Sequence, residues 1–156
     1  MSPFRRSVVA VALVVSALAA CSKESDRWVG RYEVDRDELW KAWRDDIFRD
    51  QPDLLESMRD TVATIRFDLD VEADGTFKTS SLMLTDSLPE EQQKNAETAI
   101  DSSGTWKAVG DTITLTITER NGQSLEGTIS GTYRDGVLRL NMGPGVPVVL
   151  RKRGSR

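Results

Sequence analysis

Two groupings in this 156-residue chain are placed as chemistry would place them: a lone cysteine and a short acidic run. Cys21 is the only cysteine, so no disulfide can form within the chain, and the reactivity of its thiol depends on where it stands. It follows Leu18-Ala19-Ala20 at the end of an uncharged run from Ser7, behind Arg5 and Arg6. The acidic run is Asp70-Val71-Glu72-Ala73-Asp74-Gly75. It offers carboxylates at the first, third and fifth places and a turn glycine at the sixth, as a calcium loop does. The bidentate glutamate such a loop needs at the twelfth place is absent, because that residue is Ser81. The same acids fall where the outward face of a β-hairpin would carry them, so the expectation is a hairpin and no metal. Other catalytic chemistry lacks its parts. No histidine exists to act as base, metal ligand or pH switch, and no nucleophile elbow or phosphate-cradling glycine loop occurs. The expectation is a non-enzyme without catalytic residues or cofactor.

A basic start, an apolar run and small residues before the break form the three-part layout of an export signal. The apolar run of 14 residues is short of the roughly 20 a membrane-spanning helix requires. Leu18-Ala19-Ala20-Cys21 resembles the lipobox of bacterial lipoproteins. The resemblance implies transfer of diacylglycerol to the Cys21 thiol, cleavage before Cys21 and acylation of the new amino terminus. It implies a protein exported and lipid-anchored to the cell envelope. In an organism with an outer membrane, Ser22 after the cysteine implies the outer membrane, facing the periplasm. The chain then divides into a signal peptide at 1–20, an acylated cysteine and short tether at 21–27, and one domain at 28–156. Fully extended, Ser22 to Arg27 reaches about 20 Å, which keeps the domain near the bilayer.

Without residues 1–20 the chain holds 19 basic and 25 acidic residues, a net charge of −6. An acidic domain of that kind is a poor partner for nucleic acid. The charge is uneven, with nine acids and five bases over Asp35–Asp60 but four acids and eight bases over Gly104–Arg156. The terminal Arg151-Lys152-Arg153-Gly154-Ser155-Arg156 is either a solvated end or a contact for anionic headgroups.

Hydrophobic periodicity sets the elements that carry these groups. Trp28 to Val34 reads as a first strand. Leu39, Trp43 and Ile47 then recur every four residues with Trp40 beside them, an amphipathic helix whose tryptophans are core. Asp35 with Glu38 three residues on forms a capping box. Pro52 suits the first turn of a second helix with Leu54, Leu55, Met58 and Val62 on one face. From Thr64 the period becomes two, and Asp74-Gly75 turns the chain into a return strand over Thr76–Leu84. Turn pairs Gly110-Asp111, Asn121-Gly122 and Asp135-Gly136 delimit strands near 104–109, 112–119, 124–134 and 137–141, and Val146–Lys152 closes the series. The expected fold is mainly β, of the α+β kind: about eight antiparallel strands in a small barrel or sandwich, with a helical pair near 35–62 inserted after the first strand. Leu125, Gly127, Ile129, Gly131 and Tyr133 share one face, and inward glycines at that spacing suit a barrel. Ser87 to Asp101, a polar connection of 15 residues, is longer than a turn needs and is the candidate for a lid or partner-facing element.

Trp28-Val29-Gly30-Arg31-Tyr32 resembles the opening strand of lipocalin and fatty-acid-binding barrels, where a glycine precedes a core aromatic by two. Tyr32 stands where those families usually carry tryptophan. The resemblance implies an up-and-down barrel holding a small apolar ligand. The alternative is a structural or partner-binding envelope protein that works through its surface. The partners expected are the membrane, through Cys21, and a small apolar ligand or an envelope protein.

Overall fold

A computed structural model describes residues 26–46, 48–83, 99–143 and 147–154. Eight strands run in order β1 (Gly30–Val34), β2 (Ile65–Val71), β3 (Thr76–Met83), β4 (Ile100–Val109), β5 (Thr112–Arg120), β6 (Gln123–Arg134), β7 (Val137–Asn141) and β8 (Pro147–Lys152). Each pairs antiparallel with the next, and β8 returns to β1 through Tyr32↔Lys152 and Val34↔Leu150, closing a barrel. Two helices, α1 (Arg36–Asp46) and α2 (Pro52–Thr64), are inserted between β1 and β2. The expected fold class is the observed one.

Local chemistry explains the hairpins. Asn121-Gly122 and Asp135-Gly136 have positive φ at both residues (49° and 76°, 54° and 81°). A two-residue hairpin needs that geometry, and asparagine, aspartate and glycine tolerate it best. In β2 the residues Ile65, Phe67, Leu69 and Val71 are buried, while Arg66 and Asp68 between them face water. The barrel interior is filled by such inward positions. Tyr32, Leu69, Ile113, Leu115, Leu138, Leu140 and Leu150 are fully buried in one cluster. An eight-stranded barrel is just wide enough for side chains to fill.

The two ends differ. The start of β1, the turns at 72–75, 110–111 and 135–136 and the end of β8 share one end, the entry end. The helices, the 121–122 turn and the ends of β3 and β7 share the other, the far end. Trp28, expected in the first strand, instead precedes it and stoppers the entry end. It is fully buried, packs on Tyr133 at 5.3 Å between ring centroids, and accepts the Tyr32 hydroxyl on its carbonyl at 2.8 Å. Trp106 closes the same end by donating its indole N–H to the Glu72 carbonyl at 2.8 Å.

A second core lies outside the barrel. Leu39, Ala42 and Trp43 of α1 and Val62 of α2 bury Val149 and Ile65, and the Trp43 indole donates to the Pro147 carbonyl at 3.1 Å. Asp35 fixes the start of α1. Its side chain accepts the Glu38 backbone N–H at 3.1 Å, as the capping pattern predicts, and its other oxygen accepts from Arg151 Nε at 2.6 Å. Asp35→Ala removes the cap and the strand-to-helix tie together. It is expected to cost about 1–2 kcal/mol in urea denaturation, whereas removing the exposed Lys41–Glu38 pair should leave the urea midpoint almost unchanged.

Candidate functional site

Cys21 lies outside the described residues. The first described segment leads directly into Trp28, so a tether from Cys21 would reach the domain at the entry end. Arg27, the last residue of that tether, is held there. Its guanidinium stacks on the Trp28 ring at 5.0 Å, donates to the Gly110 carbonyl and pairs with Asp111 at 2.9 Å.

The acidic run lies where hairpin alternation puts it, and its first and last acids are engaged within the protein. Arg31 forks onto both oxygens of Asp70 at 2.8 and 3.1 Å. Asp74 accepts the backbone N–H and the hydroxyl of Thr76 at 2.9 and 2.6 Å. Hydrogen bonding to the Arg31 guanidinium holds the Asp70 carboxyl below its ordinary range, and Thr76 does the same for Asp74. A depressed folded-state pKa stabilises above the unfolded-state value near 4 and loses that stabilisation as pH falls through the lower one. Arg31→Ala is therefore expected to lower stability only slightly at neutral pH, because both groups are substantially solvated. Unfolding curves of variant and parent should converge only in acid below the depressed folded-state value.

The basic terminus is drawn into the domain. Arg151 pairs with Asp35, Arg153 approaches Glu33 at 3.9 Å, and Lys152 donates to the Arg27 carbonyl at 3.2 Å. Ser155 and Arg156 lie outside the described residues, and so do residues 87–98 of the 87–101 connection. Its last two residues, Ile100 and Asp101, instead open β4.

Among the described residues, the larger open concavities include two on the outside of the barrel. A polar shelf of about 390 Å³ lies over β2–β5 beside Asp68, Lys78, Asp101 and Glu119. A groove of about 770 Å³ runs past Asp111, Tyr133, Arg134 and Arg151. Tyr32 lies inside, and burial pushes its phenol well above the ordinary tyrosine range. That hydroxyl is a structural donor at any ordinary pH.

Most of the exposed large apolar side chains among the described residues lie at the far end, while Val109, the most exposed, stands beside the 110–111 turn at the entry end. Ile100, Leu125 and Met142 continue the inward alternation of their strands yet are 44 %, 40 % and 40 % exposed, and Leu54 of α2 is 50 % exposed. Beside them β6 outruns its neighbour. It has 12 residues against five in β7, and their pairing ends at Ser130↔Asn141. The rim escapes a periodicity reading because its residues are spread over four elements. The strand mismatch was available as a signal, since the turn at Asp135-Gly136 and the short Val137–Asn141 run bound β7 on both sides. Among the described residues no helix is long and apolar enough to cross a membrane.

No family model matches the chain. No curated protein matches it either. Among solved structures, the crystal structure of the Cpx pathway activator NlpE from Escherichia coli is similar over part of the fold, at 21% identity and a TM-score of 0.36. The match covers 54% of this chain and 37% of that one, so it spans little more than a third of that protein's length.

Proposed function

We propose that this chain is an exported bacterial lipoprotein, anchored through acyl groups on Cys21, whose barrel is a non-enzymatic module that binds an envelope protein through its surface. The sequence Leu18-Ala19-Ala20-Cys21 behind a basic and apolar leader supports the anchor. With Ser22 following, the outer membrane facing the periplasm is the expected address in a bacterium that has one. The lack of histidine and the single cysteine support a binding role over catalysis.

The filled barrel supports surface over cavity. Leu69, Leu115, Leu138, Leu140 and Leu150 occupy the interior with no exposure, leaving no room at mid-barrel for an acyl chain or ring. A small apolar ligand is the second reading, favoured by Ile100, Leu125 and Met142 at the far end, where such a molecule would enter only partway. Native mass spectrometry of the protein extracted from membranes separates the two. Surface binding predicts the mass of the acylated chain with no further small molecule. A stoichiometric apolar adduct lost on Leu125→Lys would overturn it in favour of the ligand reading.

A further inference from the structure

Among the described residues, the far end of β6 has a strand on one side only. Gln123 to Ile129 pairs with β5 as far as Arg120↔Gln123, and among the described residues no strand pairs with its other edge. At about 3.3 Å per residue the free stretch is roughly 23 Å long, enough for six or seven residues of an added chain. Gly127 and Ile129 are partly buried between the exposed Glu126, Thr128 and Ser130, while Gln123 to Glu126 are all exposed beyond a register shift between Gly127 and Ser124. Exposed edges are commonly blunted by charge, proline or a bulge; Gln-Ser-Leu-Glu-Gly-Thr-Ile has no lysine or proline, and its one charge is Glu126. An unpaired row of N–H and C=O groups accepts an extended backbone and little else.

Charge narrows the occupant. Glu126 is exposed at the middle of the stretch, and on β5 Glu119, opposite Ser124, and Arg120, opposite Gln123, carry opposite charges, which leaves Glu126 to set the sign there. A second copy of this chain, paired antiparallel about the middle of the stretch, would set Glu126 against its own equivalent, and like charges directly opposed destabilise a strand pair.

We infer that this edge takes up an extended segment of a partner protein with apolar residues at alternate positions and lysine or arginine between them. The inference rests on the surface-binding reading above and names its partner by chemistry. Two synthetic peptides serve as probes, Lys-Val-Lys-Val-Lys-Val-Lys and the same sequence with glutamate for lysine. Binding to the full chain in mild detergent is measured by titration and mapped by hydrogen exchange. The basic peptide should bind about tenfold tighter than the acidic one and slow exchange within residues 123–129. Glu126→Lys, a solvent-exposed change that leaves the unfolding midpoint in place, should reverse that order. The inference is overturned by protection that maps elsewhere, by no protection, or by a peptide preference that Glu126→Lys leaves unchanged. An unmodified Cys21 would sink the anchor without touching this result. Absent protection on a chain with normal acylation would sink the edge alone.

Discussion

Trp28→Ala should cost about 3–5 kcal/mol, the range for deleting a buried tryptophan, and so remove much of the 5–15 kcal/mol that holds a typical domain folded. Trp28 lies outside every strand, so the loss breaks no ladder hydrogen bond. It would empty the entry end, where the indole packs on Tyr133 and lies under the Arg27 guanidinium. It would also uncover Tyr32, whose hydroxyl is tied to the Trp28 carbonyl. Trp28→Phe provides the control. The buried indole N–H has no partner among the described residues, so removing it costs no hydrogen bond and relieves a desolvated donor. The phenylalanine variant is expected within about 1.5 kcal/mol of the parent, with the alanine variant far below both in urea midpoint. Equal losses for Phe and Ala would mean that the indole N–H matters more than its bulk.

Gly104→Ala is the second large effect, and Gly127→Ala is its counterpart. Both glycines lie on strands at inward positions, paired with Ile117 from opposite sides. A β-carbon on Gly104 would land on the Thr116 carbonyl oxygen, a backbone atom that cannot swing aside. The β4–β5 register shifts between Ser103 and Gly104, so the close approach is part of how this corner bends. The expected loss is about 3 kcal/mol or more, the upper range for overpacking. A β-carbon on Gly127 meets nothing closer than the Ile117 side chain at 3.8 Å, ordinary van der Waals contact. That substitution should change stability by under about 1 kcal/mol, with loss of glycine's unfolded-state entropy acting in its favour. Thermal unfolding of the two variants side by side reads the contrast directly.

These two glycines also show how far sequence reaches. A shared inward face on β6 is legible from spacing alone, and Gly131 fulfils it. A β-carbon there would press on Leu140 Cδ2 at 2.6 Å. The tight approach at Gly104 depends on which residue of β5 lies opposite, and pairing register is not written in either strand by itself. Strands with strict alternation, such as Ile65–Val71 and Thr112–Arg120, were legible because one face is buried and the other wet. The first residues of β4 were not. Ile100-Asp101-Ser102-Ser103 carries no apolar alternation, because Ser102 faces inward against Thr79 in a polar part of the interior. The helices were placed by their stripe of Leu39 and Trp43, but Leu54, assigned to the same buried face as Val62, is half-exposed. Helical period marks a stripe, and the partner element decides which part of it is covered. The unequal lengths of β6 and β7 were legible from the turn at Asp135-Gly136, but the point where their pairing ends, Ser130↔Asn141, was not, because register is a property of two strands together.

The anchor bears on everything said about orientation. If acyl chains hold residue 21, the entry end stoppered by Trp28 faces the bilayer, and the far end with the β6 edge points away from it. Intact mass spectrometry and membrane fractionation of the native protein beside Cys21→Ala test this most directly. The account predicts a membrane-bound chain that begins at Cys21 and carries diacylglyceryl and acyl mass, and a Cys21→Ala variant that is neither processed at that bond nor lipidated. A free Cys21 thiol in the membrane-bound protein, or a chain cleaved elsewhere and still membrane-bound without Cys21, would contradict it.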